Sequence, residues 1–194
     1  MRSPMASWGI GLAGIPTSSR NWRRCLAMSH PPEAPASPPA RPPEAVALFN
    51  TVLTSELLVN ACWAKAQRGT TGLAWPAAYL ILPLTLHPET RDSLPRDRRI
   101  TLARWAVRNH DLLADMEYRV ANMALPTKRA IRHGLRAGRL GLDGTNLVAL
   151  ARPKGATSQW PTELSDSVKA ARFCGQWFNA IETHMAFELL GIGG

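Results

Sequence analysis

Five positive charges and no negative one fall between Pro126 and Leu140. Wound as a helix, this stretch lines up Lys128, Arg132, Arg136 and Arg139 on one side, with Arg129 beside them. Ile131 and Leu135 mark the opposite, inner face. An arginine guanidinium meets a phosphate as a two-pronged fork and a lysine neutralises it, so such a face can grip a nucleic-acid backbone. A solvated helix surface carries the same pattern, and both readings stand at this point.

Other chemistry is thin. The histidines His30, His87, His110, His133 and His184 are scattered, and Glu182 with His184 makes at most ordinary surface polarity. No G-x-S-x-G elbow, phosphate-loop lysine or carboxylate pair occurs. The expectation is therefore a protein that is not an enzyme and takes no metal or cofactor. Gly9-Ile10-Gly11-Leu12-Ala13-Gly14 matches the dinucleotide pattern G-x-G-x-x-G, but no strand precedes it and Pro16 follows, so the context for a nucleotide site is missing. Cys25, Cys62 and Cys174 are odd in number and lack metal or CxxC spacing, which suits reduced thiols in a cytoplasmic protein.

The elements that would position the basic face follow from hydrophobic period and punctuation. Asn50 is an N-cap for a first helix that carries Leu53, Leu57 and Ala61, with Val52 and Val59 widening its face, up to Gly69. Pro76 opens a second helix through Leu80 and Ile81 to Pro83 or slightly beyond. His87-Pro88 and Leu94-Pro95 mark turns. A short helix from Ile100 to Val107 precedes a longer one whose stripe is Leu113, Met116, Val120 and Met123. Pro126 opens the basic helix, and Gly138 stops it. Leu140 and Leu142, the Asp143-Gly144 turn, and then Leu147, Val148 and Leu150 alternate as a β-hairpin. A final helix begins near Thr162, capped by Thr162 with Ser165 and Asp166, and a last turn or two runs from Met185 to Gly191. The fold class expected is mainly α with a small β-hairpin: a winged helix-turn-helix-like unit embedded in a helical domain, the hairpin being the wing.

Charge and composition bound the partners. Lys and Arg outnumber Asp and Glu by 23 to 14, a net +9 that favours acidic partners such as DNA. The longest apolar run, Trp75 to Leu86, is shorter than the ~18–20 residues of a membrane span, so no membrane partner is expected. Residues 1–44 stand apart from the single domain at 45–194. They hold no acidic residue before Glu33, and proline fills seven of the fourteen positions from Pro31 to Glu44, a composition that favours disorder. Met28 reads as a natural start, with residues 1–27 as a mis-assigned upstream segment.

The run Leu80-Ile81-Leu82-Pro83-Leu84-Thr85-Leu86-His87-Pro88-Glu89-Thr90-Arg91-Asp92-Ser93-Leu94-Pro95 resembles the central signature of the middle component of bacterial three-component ABC systems. Leu102-Ala103-Arg104-Trp105 with Asn109 and Leu112-Leu113, Pro126-Thr127-Lys128-Arg129-Ala130 leading to Gly134-Leu135, and Lys169 through Phe178 followed by Phe187, Leu189, Leu190, Gly191 and Ile192 match in the same order. The likeness spans about Asn50 to Ile192; the leader lies outside it, and Asn50-Thr51 departs from the usual Asn-Pro. The resemblance implies a non-catalytic adaptor that couples a Rad50-like or SMC-like ABC ATPase to an effector protein, in systems that defend bacteria against phage and other invading DNA. It brings no catalytic residues. Trp105, Phe173, Trp177 and Phe178 are then the expected partner interface, and Lys128, Arg129, Arg132, Arg136 and Arg139 the residues that would contact double-stranded DNA. The alternative is a winged-helix DNA-binding regulator.

Overall fold

In the computed structural model, the residues described are 50–67, 69, 72–95, 97, 99–153, 160–179 and 181–193. The expectations placed on residues 1–44 lie outside them. Asn50 caps the first helix as its sequence suggests: its side-chain oxygen accepts from the Val52 amide at 2.9 Å, and helix α1 runs Thr51–Ala66. Instead of one apolar stripe, α1 buries Leu57, Leu58, Val59, Ala61, Cys62 and Ala64 nearly all round, while Val52 lies exposed. A helix apolar on every side belongs in the middle of a fold, and α1 packs against most of the other large elements.

Strand β1, Leu73–Ala74, leads through a 3-10 turn at Trp75–Ala77 into α2, Ala78–Leu86. Helix α2 continues past Pro83 because Leu80, Ile81, Leu82 and Leu84 are fully buried together. Their burial offsets the backbone hydrogen bond that proline removes. His87-Pro88 is a helix start as well as a turn: Pro88 opens α3, Pro88–Ser93. Two short helices follow, α4 at Leu102–Arg108 and α5 at His110–Leu113.

The largest departure from expectation comes at Pro126. Instead of opening a new helix, it sits buried inside one uninterrupted helix, α6, Met116–Arg136. The deepest line of α6 is Met116, Pro126, Thr127, Ala130 and Gly134, with Ile131 and Leu135 only half-buried beside it. Small residues lie innermost because α6 presses closely on its neighbours. A Cβ added at Gly134 would stand 2.6 Å from a Leu140 methyl and 2.9 Å from Ser55 Oγ.

Gly138, at φ 63°, ends α6. The Arg139 amide reaches back to the Gly134 carbonyl at 2.9 Å and the Gly138 amide to Leu135 at 3.2 Å, a Schellman close. The hairpin follows, β2 at Leu140–Asp143 and β3 at Asn146–Ala149. Antiparallel β3 lies in the middle of a three-stranded sheet of order β1-β3-β2, with Leu73 opposite Leu147 and Leu142 opposite that same residue on the other side. Two-residue β1 was not legible in the sequence. Helix, strand, helix, helix, hairpin, with this strand order, is compatible with a winged helix-turn-helix unit into which α3–α5 are inserted.

Helix α7, Thr162–Trp177, crosses α1. Pro161 stands at its N-cap position, and the capping bonds expected of Thr162, Ser165 and Asp166 are not made. Helix α8, Thr183–Leu189, closes the described fold. Among the described residues no helix is long and apolar enough to cross a membrane.

Candidate nucleic-acid and partner interfaces

The five cations expected to face a phosphate backbone do not form one set. Lys128, Arg129, Arg132 and Arg136 lie exposed on α6, and none forms an ion pair with another described residue. They span about 12 Å along the helix axis at 1.5 Å per residue. Arg139, just beyond the glycine stop, turns the other way. Its Nε and Nη2 donate to the two carboxylate oxygens of Glu56 on α1 at 2.9 and 3.0 Å. Both side chains are about three-quarters buried, and the bond to Glu56 raises the Arg139 pKa further. Arg139 therefore clamps the start of the hairpin to the central helix.

Aromatic neighbours that charge counting could not reveal stand beside this face. Trp75 is 49% exposed, and its backbone amide donates to Thr145 in the hairpin turn at 3.1 Å. Its ring meets Tyr79 edge-on at 5.8 Å. Burial raises the Tyr79 pKa, and the charge of Arg132 opposes that shift. Thus α2, the hairpin turn and α6 converge where the arginines emerge. Spaced 53 residues apart in sequence, Tyr79 and Arg132 could be joined only by the fold. A second aromatic-basic feature lies elsewhere: Trp63 is flanked by the guanidinium carbons of Arg152 and Arg172 at 5.9 and 5.5 Å. Arg172 is itself held by the Asn60 side-chain oxygen at 2.8 Å.

Of the aromatic residues expected at a partner interface, Trp105, Trp177 and Phe178 are 2, 7 and 3% exposed. The two indoles pack edge to face at 5.4 Å. Trp105 Nε1 donates to Ser93 at 2.9 Å and Trp177 Nε1 to Ile100 at 2.8 Å. Their faces are already covered within the chain. Phe173 is half-buried, 4.9 Å from the Trp177 ring, and the two together line an open cavity.

The central run from Leu80 to Pro95 also turns inward. The Thr90 amide donates to His87 Nδ1 at 3.3 Å, which caps α3. The Thr90 hydroxyl lies 2.9 Å from the same nitrogen and accepts from Arg119 Nη1 of α6 at 2.7 Å. Arg119 Nη2 donates to the Leu112 carbonyl. Burial first, and then the Arg119 charge, lower the His87 pKa, which keeps the ring neutral and able to accept. Arg91 reaches Ser167 of α7 at 3.3 Å. These residues join α3 to α5, α6 and α7, so the polar groups of this run hold helices together.

Cys62 and Cys174 are buried free thiols, each pushed up to about 12 by burial, so they are packing groups and not nucleophiles. Among the described residues no cluster of His, Cys, Asp and Glu could hold a metal ion. Comparison with known proteins finds one family: ABC-three component (ABC-3C) system Middle Component 3 matches residues 39–193. No curated protein matches, and no solved structure does.

Proposed function

This chain belongs to the middle component 3 family of ABC-three component systems, and from that premise we propose that it is a non-catalytic, cytoplasmic adaptor. It couples an ABC ATPase of the SMC or Rad50 type to an effector protein, in a system that acts against phage or plasmid DNA. The family match across 39–193 carries the reading, because a middle component has the system's other two parts as its partners. Co-expression with the ABC ATPase and the effector of the same three-component system tests it. A complex of all three on size exclusion is expected, whereas a chain that elutes alone at micromolar concentration overturns it.

A second reading, contact with double-stranded DNA in that assembly or as a winged-helix regulator, is favoured by one observation. Lys128, Arg129, Arg132 and Arg136 are exposed, without ion-pair partners among the described residues, on the helix that precedes the hairpin. Four phosphate contacts give a salt slope of roughly −3 to −4 at about 0.9 per contact. Arg132→Glu with Arg136→Glu should abolish duplex binding in fluorescence anisotropy at low salt. Wild-type protein that binds no duplex at low salt removes the reading.

A further inference from the structure

Trp75 stands half exposed and takes no part in the hydrophobic core, yet the backbone around it is fixed from several sides. Ala74 pairs with Asn146 in the sheet, and the Trp75 amide donates to the Thr145 carbonyl of the hairpin turn at 3.1 Å. Pro76 locks the φ of the next residue. The indole meets the Tyr79 ring at an interplanar angle of 75°. Such an edge-on contact covers at most one face of an indole, so a rigid frame holds a flat apolar face open at the surface. The surroundings are basic. Tyr79 lies on α2, which packs along α6, and the charge of Arg132 reaches it. Lys128, Arg129, Arg132 and Arg136 line about 12 Å of α6, exposed and paired to no carboxylate among the described residues.

A lone exposed tryptophan is ordinary. A fixed one beside a row of unpaired cations has a definite complement, a polymer that repeats negative charges and flat rings. Nucleic acid has that repeat, with one phosphate and one base per nucleotide. In a closed duplex every base face is covered by its neighbours, and an indole reaches only base edges or the backbone. In a single strand the faces are free, and bases stack on aromatic side chains beside a basic track. We propose that Trp75 is a stacking platform for an unpaired base whose neighbouring phosphates lie on the cations of α6. The chain then holds single-stranded nucleic acid, or the frayed end of a duplex, through a contact that a closed duplex cannot make. An acidic protein segment would meet the same arginines but supplies no row of flat rings. The phosphate contacts are those of the DNA-binding reading, and the site rests on that reading for them alone.

Fluorescence anisotropy of labelled dodecathymidylate, its ribo-counterpart oligouridylate and a blunt duplex, each titrated with the full-length chain over a range of salt, tests this. Trp75→Ala should weaken the single strand roughly 5- to 150-fold, the range of one stacked base, and the blunt duplex by less than about twofold. Stacking releases no counterions, so the single-strand salt slope should stay near roughly −3 in this variant, from four contacts at about 0.7 each. Arg132→Glu with Arg136→Glu should abolish binding of both. Trp75→Phe keeps a ring and should retain most of the affinity, while losing the quench of tryptophan fluorescence that the single strand causes in wild type. Unchanged circular dichroism and melting are expected, because Trp75 lies outside the core. If Trp75→Ala is destabilised, Trp75→Phe decides, since an undiminished quench overturns the proposal. The DNA and RNA arms show which strand is the tighter ligand. The proposal also falls if the single strand is unbound at low salt, if Trp75→Ala binds it as wild type does, or if the blunt duplex weakens equally. Loss of co-elution with a protein component, with nucleic-acid binding unchanged, would make Trp75 a protein contact and overturn it too. Duplex binding with a single-strand affinity indifferent to Trp75 retires this site and keeps the duplex reading; single-strand binding through Trp75 without duplex binding does the reverse.

Discussion

Replacing Gly175 with alanine tests the tightest backbone approach at a glycine among the described residues. Gly175 lies where α7 crosses α1, and an added Cβ would stand 2.1 Å from the Ala61 carbonyl oxygen, 2.7 Å from its carbon and 2.8 Å from its Cα. All three atoms are backbone, so no side chain can rotate away. Ordinary contact needs about another ångström, and the helices must part by that much. The seam between them includes Cys62, Ala171 and Cys174, all fully buried. Overpacking a close interior costs about 1–3 kcal/mol, and a rigid backbone obstacle puts this case at the upper end. Alanine's better helix propensity returns about 1 kcal/mol, which leaves a net loss of about 2 kcal/mol. For a chain of this size that lowers Tm by roughly 4–8 °C and the urea midpoint by about 1 M. Tryptophan fluorescence during urea unfolding is a suitable probe, because Trp105 and Trp177 are buried near the end of α7. A Gly175→Ala protein as stable as wild type, or more so, would refute the crossing, because helix propensity alone predicts a gain.

Glu56→Gln should cost no more than about 1 kcal/mol, since the clamp on Arg139 is partly solvated. It should leave the salt slope of any duplex binding unchanged, and a changed slope would return Arg139 to the phosphate-facing set. In a Cys25→Ser chain, Cys62 and Cys174 should resist a thiol-specific disulfide reagent at pH 8 until urea unfolds the protein. Because their folded pKa of about 12 lies above the ordinary thiol value, their contribution to stability is present below about pH 8.5 and is lost as pH rises above it. His87 runs in the other direction. Its folded pKa is lowered, so its contribution is present above about pH 6.5 and lost as pH falls below it. His87→Asn, which keeps a capping acceptor, should flatten the urea midpoint between pH 5 and 6.5; an unchanged pH profile would show that the His87 cap does not matter.

What the sequence determined by itself was local. Asn50 as a cap, Gly138 as a stop and the alternation around Asp143-Gly144 each rest on the backbone preference of one or two residues, and all three stand in the structure. The basic run was equally legible as a run. Its division was not: Arg139 is separated from Arg136 by a left-handed glycine, and the carboxylates of Glu56 lie 83 residues away in sequence. Pro126 misled because a proline's local cost is fixed, whereas the burial that offsets it depends on neighbours from other helices. The aromatic residues of α4 and α7 carried the right period for a core or an interface. Only packing decided that Trp105, Trp177 and Phe178 are core and that Phe173 faces a cavity. Two-residue β1 has no period to detect and exists because Gly72 lets the chain pass close to Leu147, where a Cβ would lie 2.6 Å from the carbonyl oxygen. The same holds for the oxygens of Gln176 and Asn179: a side-chain amide is ordinary in a sequence, and only the fold decides that it is buried without a donor.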